Sequence, residues 1–258
     1  MSHGAHSARG IWAMRGGSGG RLLVLLHGMG ANADVWERLL PLVESGWRGR
    51  WLAPDLRGHG RSVSEGPWGA GMHAADVAAL IAEEPPGTVT LVGHSFGGAV
   101  AALLGSGLFG PFVRDVAAFG VKIEWTAEEI ARAAALAARP APTFATRAEA
   151  TARYLRISGL EGLAPPASAT VATGITGADG RFQVTMDPRA HGAVGPGVMR
   201  LLTLAAAPLR LAAGEKDPMV TLEQMRRIDP AARLFPGAGH NAHWEAPERV
   251  WEFIAESA

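Results

Sequence analysis

Short apolar runs alternate with helical patterns through the first half of the sequence, and this alternation constrains the fold more than any other feature. The runs Leu22–Leu26, Trp51–Ala53 and Thr88–Val92 carry no charged side chain. Such runs are typical of parallel strands that are buried on both faces. Between them, residues 33–45 and 71–84 repeat apolar side chains at three- and four-residue spacing, which favours helices. The sequence therefore predicts an α/β fold, with a mostly parallel, doubly wound sheet and helices on both of its faces.

The middle of the chain has a different pattern. From residue 124 to residue 188 it contains Ala-rich helical stretches separated by prolines, and its strand-like run is Arg181–Thr185. Alternating strands and helices return after Pro188. We therefore predict one core domain formed by residues 1–123 and 189–258, with a helical cap, or lid, inserted at residues 124–188.

Charge and cysteine content exclude several classes of protein. The chain has 24 basic and 24 acidic residues and no long basic run, which argues against binding to nucleic acid or to an anionic membrane. It has no cysteine, so it can form neither a disulfide nor a thiolate metal site. Residues 85–113 lack charged side chains, but their glycines and Pro111 interrupt any helix long enough to span a bilayer. Since the N-terminal residues also lack the apolar stretch of a secretory signal, we expect a cytoplasmic protein, and the sequence is compatible with a homodimer.

The pattern Gly-x-Ser-x-Gly occurs twice, and its surroundings differ. Ser18 lies between residues 11–15 and the predicted strand at residues 22–26, which is typical of a glycine-rich hairpin turn or loop. Ser95 follows an apolar strand and precedes the helical run at residues 98–104. A nucleophile elbow requires this strand–turn–helix context, because glycines on either side of the serine leave room for the sharp turn. Ser95 is therefore the predicted nucleophile.

A serine hydroxyl needs a base before it can act as a nucleophile near neutral pH. His240 is the predicted base, because it follows the short predicted strand Arg233–Phe235 in a glycine-rich loop before the last helix. His243 is the alternative, three residues further on. Two histidines at this spacing can also bind a metal, but the sequence offers no third ligand, so we predict neither a metal nor a cofactor.

A carboxylate is expected to orient the base and to stabilise its cation. Asp217 is the predicted carboxylate, since it lies just after a predicted strand at residues 209–213. Asp187 and Glu215 are the alternatives. With Asp217, the three groups occur in the order serine, aspartate, histidine, which is the chain order of hydrolases with a nucleophile elbow.

Two backbone N–H groups are the predicted donors to the oxyanion, the negatively charged oxygen that forms when a carbonyl is attacked. Phe96 directly follows the predicted nucleophile, at the start of its helix. Met29 lies in the segment His27-Gly28-Met29-Gly30, after the first long apolar strand. His27 itself is interpreted as a buried, hydrogen-bonded histidine rather than as a catalyst.

Five segments of the chain form recognisable motifs. They are LLVLLHGMG at 22–30, APDLRGHGRS at 53–62, LVGHSFGGA at 91–99, LAAGEKDPM at 211–219 and PGAGHNAHWE at 236–245. Together they resemble the α/β-hydrolase superfamily, in its branch with a serine nucleophile, over most of the chain. The resemblance implies that residues 55–62 form a structural turn near the site. A serine at the elbow argues against the haloalkane dehalogenases and epoxide hydrolases of this superfamily, which use aspartate.

The predicted site favours a hydrolase that cleaves a carboxylic ester of a small, largely apolar substrate through an acyl-enzyme intermediate. Five side chains are expected to form the apolar pocket for the substrate: Trp36, Trp125, Phe144, Met219 and Trp244. The same three catalytic groups can instead serve a C–C bond hydrolase, a lactonase or a cofactor-free perhydrolase. A ligand-binding receptor on the same fold is a further alternative, which labelling of an activated serine would exclude.

Overall fold

The structure, a computed structural model, describes residues 3–193, 195 and 197–256, and the other residues of the predicted core domain lie outside this description. The strands are β1 (His3–His6), β2 (Trp12–Gly17), β3 (Leu22–Leu26), β4 (Arg50–Pro54), β5 (Val89–His94), β6 (Asp115–Phe119), β7 (Ile175–Ala178), β8 (Arg181–Val184), β9 (Leu209–Gly214) and β10 (Arg233–Phe235). The α-helices are α1 (Leu40–Gly46), α2 (Ala70–Leu80), α3 (Phe96–Leu104), α4 (Ala127–Ala137), α5 (Arg147–Ile157), α6 (Ala169–Thr173), α7 (Val198–Thr203), α8 (Leu222–Arg226), α9 (Ala242–Glu245) and α10 (Pro247–Ala255). Two 3-10 helices, Ala33–Arg38 and Pro188–Ala193, complete the described elements.

Eight of the described strands form one sheet, in the order β1-β2-β4-β3-β5-β6-β9-β10. β1 pairs antiparallel with β2, and β2 pairs antiparallel with β4. The remaining neighbours pair in parallel, so that β3, β5, β6, β9 and β10 all end at the same edge of the sheet. The predicted α/β class with a mostly parallel sheet is confirmed.

Side chains of β3 alternate between two hydrophobic clusters, one on each face of the sheet. Leu23 and Leu25 pack in a cluster that includes residues of α1 and α10. Leu22, Val24 and Leu26 pack in a second cluster, which includes residues of α2 and α3. All five residues of the strand are buried. Helices therefore cover both faces, which explains why the strand is apolar at every position instead of at alternate ones.

The chain between β6 and β9 forms α4, α5, α6, the hairpin of β7 and β8, the second 3-10 helix and α7. β7 and β8 pair with each other in a separate two-stranded sheet. The predicted strand at 181–185 corresponds to β8, whereas the sequence analysis does not predict β7. Three of the four residues of β7 are exposed, so this strand lacks an apolar pattern. The division into core and cap at residues 124–188 stays a prediction.

A closed ring of buried hydrogen bonds joins this segment to the loop after β3. Asn32 donates from Nδ2 to the hydroxyl of Tyr154 in α5, over 2.9 Å. The Tyr154 hydroxyl donates to Oγ1 of Thr170 in α6, and Thr170 donates back to Asn32 Oδ1 over 3.2 Å. All three residues are at most 1% exposed. The ring thus satisfies polar groups that water does not reach.

Tyr154→Phe removes one hydroxyl from this ring. We expect it to lower the free energy of unfolding by about 1–3 kcal/mol, because Asn32 and Thr170 each lose a buried partner. A thermal melt should show this as a lower Tm, by roughly 2–4 °C per kcal/mol for a chain of this size. Ser45→Ala removes an exposed hydroxyl and serves as the control, with no expected change in Tm. If Tyr154→Phe and Ser45→Ala had the same Tm, the ring would not stabilise the fold.

Candidate active site

Ser95 lies in a sharp turn between β5 and α3, with a backbone conformation that L-residues rarely adopt. Its φ is 52° and its ψ is −118°. Glycines on both sides allow the turn to close: a Cβ on Gly93 would lie 2.4 Å from the carbonyl oxygen of Gly97, and a Cβ on Gly97 would lie 2.2 Å from that of Leu26. A strained serine between a strand and a helix is the geometry of a nucleophile elbow.

A carboxylate and an imidazole meet at the same edge of the sheet. Asp217 follows β9 and His240 follows β10, and ligand sites in such sheets lie at the carboxyl ends of the strands. His240 Nδ1 lies 2.8 Å from Asp217 Oδ2. The other carboxylate oxygen, Oδ1, accepts the backbone N–H of Met219 over 2.8 Å. The Asp217 side chain is fully buried and both of its oxygens have a partner, so it can hold His240 in the tautomer with the proton on Nδ1.

Ser95 and His240 both line a cavity of about 500 Å³. Gly120, which follows β6, packs against the imidazole: a Cβ at this position would lie 3.3 Å from His240 Cε1. His240 keeps 14% of its side chain exposed, in contrast to the buried Asp217. The imidazole therefore has a carboxylate on one side and open space shared with the serine on the other.

The two predicted oxyanion donors lie beside the nucleophile. Phe96 is the first residue of α3, where backbone N–H groups have no partner within the helix. Met29 lies in the loop after β3, and the adjacent Gly28 is so close to the elbow that a Cβ on it would lie 3.2 Å from Ser95 Cβ. Met29 and Phe96 both line the cavity. Their N–H groups are thus candidates for binding an oxyanion that forms at Ser95.

The alternative base, His243, lies in a different environment. It is fully buried, and its ring packs against those of Trp36, His94 and Phe119. Burial lowers the pKa of His243 to about 3, so this side chain is neutral near pH 7. Its ring nitrogens have no hydrogen-bond partner among the described residues. His240 is the better candidate for the base, because a carboxylate orients it and it lines the cavity.

The alternative carboxylates and the second serine pattern also lie in other surroundings. Asp187 forms an ion pair with Arg189 over 2.6 Å. Glu215 accepts the backbone N–H of Gly237 over 2.7 Å. Ser18 is exposed in the turn between β2 and β3. The geometry thus favours the predicted serine, histidine and aspartate over each of their alternatives.

Two of the five predicted substrate-binding side chains line the cavity, and three do not. Trp125 and Met219 contribute to its wall. Trp36 and Trp244 are instead buried in the hydrophobic cluster on one face of the sheet, and the indole of Trp244 donates to a backbone carbonyl there. Phe144 packs in the small cluster that α5 forms with β7 and β8. The structure does not bring these three side chains to the cavity, in contrast to the prediction, because they fill hydrophobic clusters instead.

One face of α4 contributes to the cavity, which the sequence analysis does not predict. Glu129, Arg132, Ala133 and Leu136 line the wall at spacings of three, one and three residues, so that they share a helix face. This spacing is visible in the sequence. The sequence does not show that this face meets a cavity, because alanines lie on the other faces of α4 as well.

The described residues contain neither a membrane-spanning helix nor a cluster of metal ligands. None of their helices has the length and apolar character needed to cross a bilayer. No three of their His, Asp and Glu side chains are grouped so that they could hold a metal ion.

A mostly parallel sheet with a strained serine at one strand end and an aspartate-bound histidine nearby is the arrangement of the α/β hydrolases. Residues 23–253 match the alpha/beta hydrolase family, and the chain belongs to this family.

Two curated proteins are similar to part of the chain. The chain is 40% identical over 89 residues to Lipase LipV of Mycobacterium tuberculosis, a match that covers 33% of this chain and 32% of that protein. It is 35% identical over 79 residues to the pimeloyl-[acyl-carrier protein] methyl ester esterase of Photobacterium profundum, with 31% and 29% covered. The chain thus matches about a third of the length of these relatives.

The whole chain is similar to a solved structure. A thioesterase domain from the curacin biosynthetic pathway superposes with a TM-score of 0.78, at 21% sequence identity. The match covers 98% of this chain and 99% of that one. At this identity the similarity shows a shared fold.

Proposed function

We propose that this protein is a serine hydrolase that cleaves the carboxylic ester bond of a small, largely apolar substrate. The observation that carries the proposal is the 2.8 Å contact between His240 Nδ1 and Asp217 Oδ2, in an imidazole that lines the same cavity as Ser95. The strained backbone of Ser95 supports its role as the nucleophile. The names of two similar proteins, a lipase and a methyl ester esterase, favour esters as the class of substrate.

The first half of the proposed reaction forms an acyl-enzyme. Asp217 accepts the Nδ1–H of His240, so that Nε2 has a free lone pair and can act as the base. Nε2 takes the hydroxyl proton of Ser95 as Oγ attacks the carbonyl carbon of the ester. The carbonyl oxygen becomes an oxyanion, which the N–H groups of Met29 and Phe96 stabilise. The ester C–O bond then breaks, and the leaving alcohol takes the proton from Nε2.

The second half releases the acid. A water molecule gives a proton to Nε2 of His240 and attacks the acyl carbonyl carbon, which forms a second oxyanion in the same position. This intermediate breaks its bond to Ser95 Oγ, and Oγ takes the proton back from Nε2. One ester and one water have then become one carboxylic acid and one alcohol, and the enzyme is regenerated.

The size and lining of the cavity support a small, largely apolar substrate. Its volume of about 500 Å³ lies in the range of sites for small molecules. Its wall is mainly apolar, with Met29, Phe96, Val121, Trp125 and Met219 among its residues. Such side chains give area for burying an acyl or alcohol group, whereas the catalytic groups orient the ester between them.

A fluorophosphonate probe tests the proposal, because it reacts with serine hydroxyls that a base activates. We expect covalent labelling of Ser95, located by mass spectrometry of the digested protein. Ser18 provides an internal control, since it lies in the same five-residue pattern and should remain unlabelled. Folded protein that is not labelled at Ser95 would contradict the proposal and favour a ligand-binding receptor.

The class of bond is tested by comparing kcat/KM for p-nitrophenyl esters, lactones and vinylogous diketones. We expect the short-chain p-nitrophenyl esters to be the best substrates. Faster turnover of a vinylogous diketone, with Ser95 still labelled, would replace ester cleavage by C–C bond cleavage and retain the catalytic groups.

A further inference from the structure

Two buried histidines, His27 and His59, lie behind the loop that carries Met29, and the proposed reaction does not use them as bases. Both are fully buried, and their rings lie 5.1 Å apart. His27 Nε2 accepts the backbone N–H of Leu56 over 2.9 Å. His59 Nε2 accepts the backbone N–H of Gly30 over 3.2 Å. When Nε2 accepts, a neutral imidazole carries its proton on Nδ1 and can donate there.

The Nδ1 atoms of both rings have acceptors. His27 Nδ1 donates to the carbonyl oxygen of Gly28 over 2.8 Å, and His59 Nδ1 donates to that of Arg57 over 3.0 Å. Burial lowers the pKa of His27 to about 4 and the pKa of His59 to about 3. Near pH 7 both rings are therefore neutral, and each provides one fixed donor and one fixed acceptor.

These bonds hold the two peptide groups on either side of the Met29 Cα. The carbonyl of Gly28 and the N–H of Met29 belong to one planar trans peptide, so they point in opposite directions. The Gly28 carbonyl is held by His27 Nδ1 and by the N–H of Ala31, the latter over 3.2 Å. The Met29 N–H must therefore point away from His27. The next peptide group is held through its own N–H, on Gly30, by His59.

We propose that His27 and His59 are positioning residues of the oxyanion hole: His27 orients the peptide that carries the Met29 N–H, and His59 anchors the peptide that follows. This inference rests on the proposed function, which assigns that N–H as a donor to the oxyanion. The proposal also gives a role to the turn at residues 55–62, which forms hydrogen bonds with the loop that carries Met29. Asp55 in the same turn accepts the N–H of Ala33 over 2.6 Å. Together with the bonds of His27 to Leu56 and of His59 to Gly30, this contact fixes the chain at 27–33 to the turn.

Substitution by asparagine and glutamine separates donor from acceptor, because an asparagine amide lies near the position of Nδ1 and a glutamine amide near that of Nε2. At residue 27 the important group is the Nδ1 donor, which His27→Asn keeps and His27→Gln loses. At residue 59 the important group is the Nε2 acceptor, which His59→Gln keeps and His59→Asn loses. We expect the two variants that lose the group to lower kcat for a p-nitrophenyl ester by about 10- to 100-fold, with little change in KM. The two that keep it should retain most of kcat.

A tetrahedral inhibitor gives a readout that a purely structural role would not affect. A trifluoromethyl ketone adds to the nucleophilic serine, and its oxyanion occupies the same hole. Its Ki should rise in His27→Gln and His59→Asn by about the factor by which kcat/KM falls. Thr90→Val is the control: it removes a buried hydroxyl that donates to Asp115 on neighbouring strands, and should lower Tm without changing kcat.

The proposal predicts opposite preferences at the two positions: asparagine should retain kcat at residue 27, and glutamine should retain it at residue 59. Equal kcat in all four variants, or the same amide being better at both positions, would overturn it. If the wild-type protein neither hydrolyses esters nor is labelled at Ser95, the proposed function fails instead, so the two failures are distinguishable.

The wild-type protein provides a second test that does not depend on the folding of any variant. The ¹⁵N spectrum should show both rings protonated on Nδ1, with a coupling across the hydrogen bond between the Gly30 amide nitrogen and His59 Nε2. Rings protonated on Nε2 would overturn the proposal.

Discussion

Ser95→Ala is expected to lower kcat for hydrolysis of p-nitrophenyl butyrate by at least about 10⁴-fold. Alanine cannot form the acyl-enzyme, so the remaining rate comes only from binding and from the oxyanion hole. The substitution removes a single oxygen atom and leaves the backbone of the elbow to the same glycines, Gly93 and Gly97. Initial rates at saturating substrate measure the effect, and circular dichroism with a thermal melt establishes that the variant is folded.

Ser18→Ala is the matched control for this prediction. It changes the serine of the other Gly-x-Ser-x-Gly pattern, which lies exposed between β2 and β3. We expect kcat, KM and Tm to remain those of the wild type. Substantial activity in Ser95→Ala, or its loss in Ser18→Ala, would refute the assignment of the nucleophile.

The elbow is predictable from the sequence because its causes are local. The strand, the serine and the glycines that relieve its turn all lie within residues 88–98. Asp217 and His240 are predictable for a different reason: each follows a short predicted strand, and parallel neighbouring strands end at one edge of the sheet. The pattern of strands therefore brings together residues that are far apart in the chain.

The direction of a side chain is much harder to predict than its position in the chain. Trp36 and Trp244 lie near predicted site segments, but both point into the core. Trp36 is on the buried side of a 3-10 helix whose six residues give no clear period. The sequence analysis also does not predict β1. All four residues of this strand are exposed at the edge of the sheet, so it has no apolar pattern.

Polar networks between distant segments are not predictable from a single sequence. The role of Tyr154 becomes visible only when Asn32, which lies 122 residues away, is seen to donate to its hydroxyl. The same applies to His59 and the amide of Gly30, 29 residues apart. A hydrogen bond between two such groups leaves no periodic signal, because it needs only two suitable atoms and a fold that brings them together.

Asp217→Asn is expected to lower kcat by about 10⁴-fold while the protein remains folded. The reason lies in the two contacts of the carboxylate. Oδ1 accepts the N–H of Met219 and Oδ2 accepts from His240 Nδ1, each over 2.8 Å. The oxygen of an asparagine amide would keep the bond to Met219, so its NH₂ group would face His240. The imidazole would then accept at Nδ1 and carry its proton on Nε2, where it cannot take the proton of Ser95.

Glu215→Gln is the control that separates this effect from a general disturbance of the loop. Glu215 lies two residues away, and its Oε2 accepts the N–H of Gly237 over 2.7 Å, a bond that the oxygen of glutamine can keep. We expect its kcat to equal that of the wild type. Labelling by the fluorophosphonate should slow in Asp217→Asn in parallel with kcat, because both reactions need the same base. If Asp217→Asn kept the kcat of the wild type and Glu215→Gln lowered it, the orienting role would belong to Glu215. If both variants kept that kcat, His240 would need no carboxylate, and the argument from its tautomer would be wrong even with Ser95 as the nucleophile.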